Sequence, residues 1–353
     1  MGTLFLIFSL LLILISCLPF IKNQHWVFRA SEFIKIQLII LQLVAIAGIL
    51  IFMERSPLLW IVFGIQVGLV GYHCFLLIYY TRFFRTKHNG GSNQNSLKII
   101  AANIYQYNQQ FDRFIQFIQK TEPDIFVTME SNKDWELALR KLETAYPHTQ
   151  KVTLENTYGM HLYSKIPFQQ IQTHYFVADD VPSMEVHFKT ADGEEFVLFC
   201  VHPPPPSPTE EETSKERDGD LLSIAKLCKK MDKPTIVMGD FNSVAWSKIS
   251  RLFRKKSGLI DGRRGRGILA SFHANYWFLR APLDLVFHSS TIFIKELKVL
   301  ENVGSDHFPI CCVFCIDESN NSQEEAVEKA TAEEEKEAEE LIEEGKKEES
   351  DNR

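Results

Sequence analysis

Asn103, Glu130, His202, Asp240, Asn242, Asp284, Asp306 and His307 follow one another along the chain, and several of them close a short apolar run: LKIIAAN, DIFVTME, FVLFCVH and TIVMGDFN. Buried strands ordinarily end in turn formers. A carboxylate, imidazole or amide placed there repeatedly points to one shared site. Such a set can hold a divalent cation and move a proton, a combination suited to phosphoester hydrolysis. Taken singly, each residue has a plainer reading: an aspartate as a turn former, His202 as a strand end set by Pro203, Asn103 as a turn. The ordered set outweighs those readings.

The chemistry of the side chains suggests roles. Glu130 is a hard carboxylate suited to Mg²⁺, with Mn²⁺ as the alternative. Asp240, following Gly239, is short and placed to orient or deprotonate a water. Asn242 lies two residues on, where its amide can donate to a non-bridging phosphate oxygen. His307 can stabilise developing charge or act as acid/base, with Asp284 fixing its tautomer.

The words GDFN (239–242) and SDHFP (305–309), with Glu130 ahead of SNKDW and Asn103 near the domain start, carry a family likeness. Over residues 97–316 the chain resembles the endonuclease/exonuclease/phosphatase superfamily. It is most similar to membrane-tethered bacterial members with HPPPPSPT-like, AWSKISRLFRKKSGLIDGRRGRG-like and FLRAPLDLVFHS-like stretches. The resemblance implies a deoxyribonuclease-I-like four-layer α/β sandwich, two packed β-sheets flanked by helices. It also implies that Asn103 and Asp306 support the metal site. His202 falls where some members carry a histidine near the leaving group and others a tyrosine, so its role is the least defined.

Three apolar stretches, residues 4–21, 34–53 and 58–80, have the length of membrane-spanning helices and make residues 1–88 a transmembrane region. The first is broken by Pro19 and has a signal peptide as its rival reading. It lacks a basic leader and a small-residue cleavage site, so retention is expected. Gln37, Gln42 and Gln66 inside the spans suggest hydrogen bonds between helices. Lys22, Arg29 and Lys35 share a side with Arg82, Arg85 and Lys87, against Arg55 opposite, so a cytoplasmic domain on a bacterial inner membrane is expected. Five cysteines in the domain, an odd number without zinc-type spacing, read as small buried hydrophobes.

A polar linker at 89–96 leads into the catalytic domain, 97–317, whose apolar runs alternate as strands and helices. The four prolines 203–206 read as a rigid loop. Charge is partitioned: about +5 before residue 97, about −2 across the domain and about −10 in the tail, which sum to −7. The tail, 318–353, is rich in Glu, Lys and Ala and is expected to be disordered.

A basic run after GDFN (Lys248, Arg251, Arg254, Lys255, Lys256, Arg263, Arg264, Arg266) is expected to grip nucleic-acid phosphates or lipid head groups, or to form a solvated face. Arg217, Arg266 and Arg280 are further substrate-side candidates. The sequence thus predicts a membrane-anchored metal-dependent phosphoesterase. Nucleic acid is favoured over a phospholipid, sphingomyelin or inositol-phosphate substrate, because no aromatic-rich hydrophobic hairpin stands out. A non-catalytic membrane scaffold is the rival from another class.

Overall fold

A computed structural model describes residues 1–84 and 96–350. All but the last residue of the 89–96 linker lies outside the described residues, as do Arg85 and Lys87. Four helices open the chain: α1 (Gly2–Cys17), the short α2 (Trp26–Phe33), α3 (Lys35–Phe52) and α4 (Pro57–Ile78). Three are long and apolar enough to cross a membrane: Gly2–Phe20, Lys35–Phe52 and Pro57–Ile78. Gln42 donates to the Ser16 hydroxyl at 3.0 Å and Gln66 to the Ser9 carbonyl at 3.1 Å, polar ties inside an otherwise apolar bundle.

The domain continues β1 (Leu97–Asn103), α5 (Phe111–Thr121), β2 (Ile125–Met129), α6 (Lys133–Leu139), β3 (His148–Val152), β4 (Met160–Ser164), β5 (Phe168–His174), β6 (Ser183–Lys189) and β7 (Glu195–Val201). There follow α7 (Lys215–Cys228), β8 (Thr235–Asp240), α8 (Lys248–Ser257), β9 (Ile260–Asp261), β10 (Asp284–His288), β11 (Ile292–Val299), β12 (Ile310–Ile316) and α9 (Ala332–Lys347). Two six-stranded sheets form, in the orders β11-β12-β1-β2-β4-β3 and β5-β6-β7-β8-β10-β9. Both are mixed: β1 runs parallel to β2 and β7 to β8, while the other pairings are antiparallel.

The alternation along β1 explains the layering. Ile99 and Ala101 join the core between the sheets, whereas Ile100 and Ala102 pack outward against Phe114 and Ile118 of α5. A strand buried on both faces needs a continuous apolar run, as LKIIAA supplies. On the far side, Phe199 and Val237 are covered by Leu221, Leu222 and Phe253 from α7 and α8. Helices therefore flank a pair of packed sheets, a four-layer sandwich.

The tail corrects an expectation. Residues 332–347 form a capped helix, with Thr331 and Glu334 completing a capping box. Ala338 and Ile342 are buried in the same layer as α7 and α8. Helices α7 and α9 touch where both carry glycine: a Cβ on Gly219 would lie 2.9 Å from the Gly345 Cα. Lysines complete the clasp, with Lys226 to Glu339 at 2.6 Å, Lys229 to Glu335 at 2.6 Å and Lys215 to Glu348 at 2.7 Å. Composition suggested disorder because only a narrow stripe of small and apolar residues does the packing.

Substituting Gly345→Leu forces a side chain into that crossing, an overpacking worth about 1–3 kcal/mol. Amide exchange across Ala332–Lys347 should accelerate about 5- to 150-fold while both sheets keep their protection. Unchanged protection of α9 would show that the glycine contact does not hold it.

Candidate active site

The strand ends converge at one edge of the sandwich. Asn103 closes β1, Asp240 closes β8 and Asp284 opens β10, and Asp240 and Asp284 are direct register partners. Gly239 has φ +151°, and a Cβ there would stand 2.1 Å from the Val201 carbonyl, so only glycine lets β8 turn out beside β7. Asn242 then takes the left-handed region at φ 47° and Glu130 does so at φ 63°.

His307 stands between the two aspartates. Its Nδ1 lies 2.9 Å from Asp284 Oδ2 and its Nε2 3.5 Å from Asp240 Oδ2. Burial works against its charge, but Asp240 and then Asp284 outweigh it and push its pKa up to about 10. Burial also pushes the Asp284 carboxyl up, and the His307 charge pulls it back. The Ser271 hydroxyl accepts from the Asp284 amide at 3.1 Å, and the Ser305 hydroxyl accepts from the His307 amide at 3.0 Å. Ser305 in turn donates to the Asn103 carbonyl at 2.8 Å, tying the SDHFP loop to β1.

A second group adjoins the first. The Asn103 amide nitrogen donates to Glu130 Oε1 at 2.8 Å and to Asp240 Oδ2 at 3.2 Å, bridging the two sheets. Glu130 Oε2 accepts the Gln106 backbone N–H at 3.0 Å. Burial raises the Glu130 pKa to about 7 despite those bonds and the His307 charge, and Asp306 raises it further. The positions of Asp306 and Glu130 therefore affect each other electrostatically.

These hard oxygen donors fit a divalent cation, which would supply the missing counter-charge. Asp240, Asp284 and His307 also present ligand atoms within 4.8 Å of one another. Because the Asp284–His307 bond already occupies Nδ1 and the imidazole carries a proton, we read that trio as a proton-holding chain. Glu130, with Asp306 and the Asn103 side chain, could hold the cation instead. Direct contact by Asn103 requires its amide to turn its oxygen toward the cation.

Asn242 keeps its backbone N–H on Asp240 Oδ1 at 2.8 Å, and its side-chain nitrogen donates to the Pro203 carbonyl at 2.9 Å. His202 is also buried, its Nε2 3.9 Å from Asp240 Oδ2, with burial lowering its pKa to about 4. Its Nδ1 has no hydrogen-bond partner among the described residues.

The three arginine candidates divide. Arg217 is 2 % exposed and bonds Asp218 at 2.7 Å and the Asn242 carbonyl at 3.1 Å, so it braces the loop from beneath and does not face substrate. Arg266 donates to the Gly262 carbonyl at 2.6 Å and the Ile294 carbonyl at 2.9 Å, a tie between loop and β11 and again not substrate-side. Arg280 does stand at the rim, its guanidinium 4.9 Å from the Phe308 ring beside His307.

The basic face of α8 is turned to the tail. Lys248 pairs with Glu337, Arg254 with Glu328 at 2.6 Å, Lys255 with Glu334 at 2.6 Å, and Lys256 with Glu335 at 2.5 Å. Sequence reasoning missed Gln106, Ser271 and the part played by Ser305. Only Ser305 carried a signal, its place in SDHFP.

A model of the "Endonuclease/Exonuclease/phosphatase family" matches residues 98–307. The chain belongs to that family. Its members are divalent-metal-dependent hydrolases of phosphoester bonds. No curated protein matches the chain.

Among solved structures, D. rerio TDP2 complexed with a single-strand DNA product is similar at TM-score 0.53 and 16 % identity, covering 63 % of this chain and 100 % of that one. A family protein from Bacteroides thetaiotaomicron gives TM-score 0.52 and 20 % identity over 65 % and 99 % of the two chains. The human Nocturnin catalytic domain, with bound sulfate, gives 0.51 and 14 % over 63 % and 93 %. At these identities the likeness is one of fold. The expected deoxyribonuclease-I-like sandwich agrees with it.

The His307 geometry sets a pH dependence. Its pKa is raised from 6.5 to about 10, so its stabilising contribution is fully present below 6.5 and is lost as pH rises through about 10. Chemical unfolding of the full chain in detergent should show stability falling across that window. Asp284→Asn should flatten the slope and move the His307 ring titration, read by NMR, downward. A ring titration unmoved by Asp284→Asn would refute the pairing.

Proposed function

We propose that the chain is a membrane-anchored, divalent-metal-dependent phosphoester hydrolase, with Mg²⁺ as the metal and Mn²⁺ as an acceptable substitute. The observation that carries this reading is His307 held between Asp240 and Asp284, with Glu130 one bridging amide away. The three apolar helices support the anchoring. Positive flanking residues support a cytoplasmic domain on a bacterial inner membrane.

Asp240 orients the attacking water and takes its proton as the new P–O bond forms opposite the leaving oxygen. His307, protonated and locked by Asp284, donates through Nε2 to the oxygen on which charge accumulates. Asn242 has a second amide N–H for a non-bridging oxygen. As the bond to the leaving group breaks, that oxygen takes a proton from solvent while Asp240 keeps the one lost by the attacking water, and neutral His202 stands beside Asp240. A cation at Glu130, supported by Asp306 and Asn103, supplies charge neutralisation to the phosphate when bound.

A nucleic-acid substrate has one supporting observation, the DNA product in the similar TDP2 structure. In the basic run expected to grip nucleic acid, Lys248, Arg254, Lys255, Lys256 and Arg264 instead pair with tail glutamates.

Asp240→Asn and His307→Ala should each lower turnover of a soluble aryl phosphodiester by about 10²–10⁴-fold, with unchanged circular dichroism. Glu130→Gln should abolish the metal-dependent part. Full activity in any of the three would remove that residue from the mechanism. Mg²⁺ failing to bind the purified chain would favour a non-catalytic scaffold.

A further inference from the structure

Tyr276, Trp277, Phe278 and Leu279 are four consecutive large side chains exposed at 50 %, 78 %, 51 % and 41 %. Elsewhere in the domain, among the described residues, exposed large apolar side chains stand singly or, as Tyr105 and Tyr107, two apart. A contiguous exposed run of this kind marks an interaction surface. Its neighbours in the fold identify the partner.

The Phe278 carbonyl accepts a hydrogen bond from the Gln37 side chain at 2.6 Å, and Gln37 lies in the first turn of α3. That end of α3 is on the domain side of a membrane-length helix. The aromatic run is therefore held at the level where the helix enters the bilayer, the depth that tryptophan and tyrosine favour. Contact continues inward. Ala281 and Leu283 pack with Leu76, Leu77 and Tyr80 at the end of α4, together with Trp246.

The other end of the same loop is the catalytic wall. Phe272 forms bridges with His307 and with Ala281, and its ring lies 4.8 Å from the His307 ring. The Ala274 N–H donates to the Asp306 carbonyl at 2.6 Å. Arg280, directly after the run, lies over Phe308 and forms no ion pair among the described residues. One loop thus joins His307, a rim cation and the membrane level. The head-group zone of each leaflet is roughly 5–7 Å deep, so a lipid phosphate is confined close to that rim.

We infer that the loop 272–281 seats in the bilayer surface and that the substrate is a membrane lipid carrying a phosphodiester head group. This rests on the phosphoester-hydrolase reading above and names its substrate. Water oxygen bonds to the lipid phosphorus as Asp240 takes its proton, the P–O bond to the leaving alcohol breaks, and the departing oxygen takes a proton from solvent. Arg280 meets the phosphate at the rim.

The test uses the full chain reconstituted with Mg²⁺ in phosphatidylcholine vesicles containing phosphatidylglycerol, phosphatidylethanolamine or phosphatidylinositol 4-phosphate. Released water-soluble head group or phosphate is measured beside bis(4-nitrophenyl) phosphate and a single-stranded DNA oligonucleotide. The wild type should hydrolyse at least one vesicle lipid. The double variant Trp277→Ser/Phe278→Ser should lose at least tenfold on that lipid while hydrolysing the soluble aryl diester normally.

Equal loss on both substrates would overturn the inference, as would vesicle lipids left intact while the aryl diester or DNA is cleaved. No metal-dependent hydrolysis of the aryl diester, the DNA or any vesicle lipid by the wild type would instead sink the hydrolase reading itself. A second measurement is independent of turnover. Quenching of tryptophan fluorescence by lipids brominated near the head group should fall in Trp277→Phe, and an unchanged quench would place the loop outside the bilayer.

Discussion

Two carboxylates facing each other across an antiparallel pair are the constraint around which this fold is arranged. Asp240 and Asp284 are register partners at the buried end of β8 and β10. Like charges directly opposite destabilise a sheet, and burial sharpens the cost. The imidazole of His307, from the segment leading into β12, lies within reach of both, and Asn103 donates to Asp240 from β1. Those partners reach the aspartates only because the two sheets pack face to face with their strand ends aligned. Without the imidazolium, the pair would require a proton or a bound cation at that edge.

The same edge is joined to the apolar N-terminal helices. Val244, Ala245 and Trp246 follow Asn242 almost immediately, and Ala281 and Leu283 precede Asp284. All five are buried against the ends of α4. Tyr80 donates to the Ala245 carbonyl at 2.8 Å, and Trp246 donates to the Glu32 carbonyl at 2.8 Å. The strand exits that aim the catalytic side chains are therefore also the surfaces that dock on the helices. Helix packing and catalytic geometry share one set of contacts, so movement at either is felt at the other.

Much of this was legible because strand periodicity and strand-end chemistry are local. The apolar run LKIIAAN is β1 residue for residue, and DIFVTME contains β2. Legibility failed where packing is narrow or distant. The Ala338, Ile342 and Gly345 stripe of α9 is diluted by glutamates. Arg217 and Arg266 were read as substrate-side candidates, but carbonyls far along the chain hold them. Strands such as FQQIQTH carry little apolar content and were missed, since β5 is a sheet edge with half its face exposed. The aromatic run 276–279 was not singled out from the sequence. Its meaning depended on its place beside α3, which no local pattern encodes.

Charge placement bears on why a tether suits this site. The catalytic domain carries a small net negative charge and the tail a larger one. Helix α8 is masked by that tail. A phosphate diffusing from bulk solution would therefore meet no broad positive field to raise its encounter rate. Confinement to a surface supplies what the field does not. If the chain is anchored as proposed, the cleft is fixed near one plane and substrate capture becomes a search at high effective concentration. On the proposed reading, the acidic tail and the anchor act together: one discourages soluble polyanions, and the other keeps the cleft at the interface where a phosphate is already held.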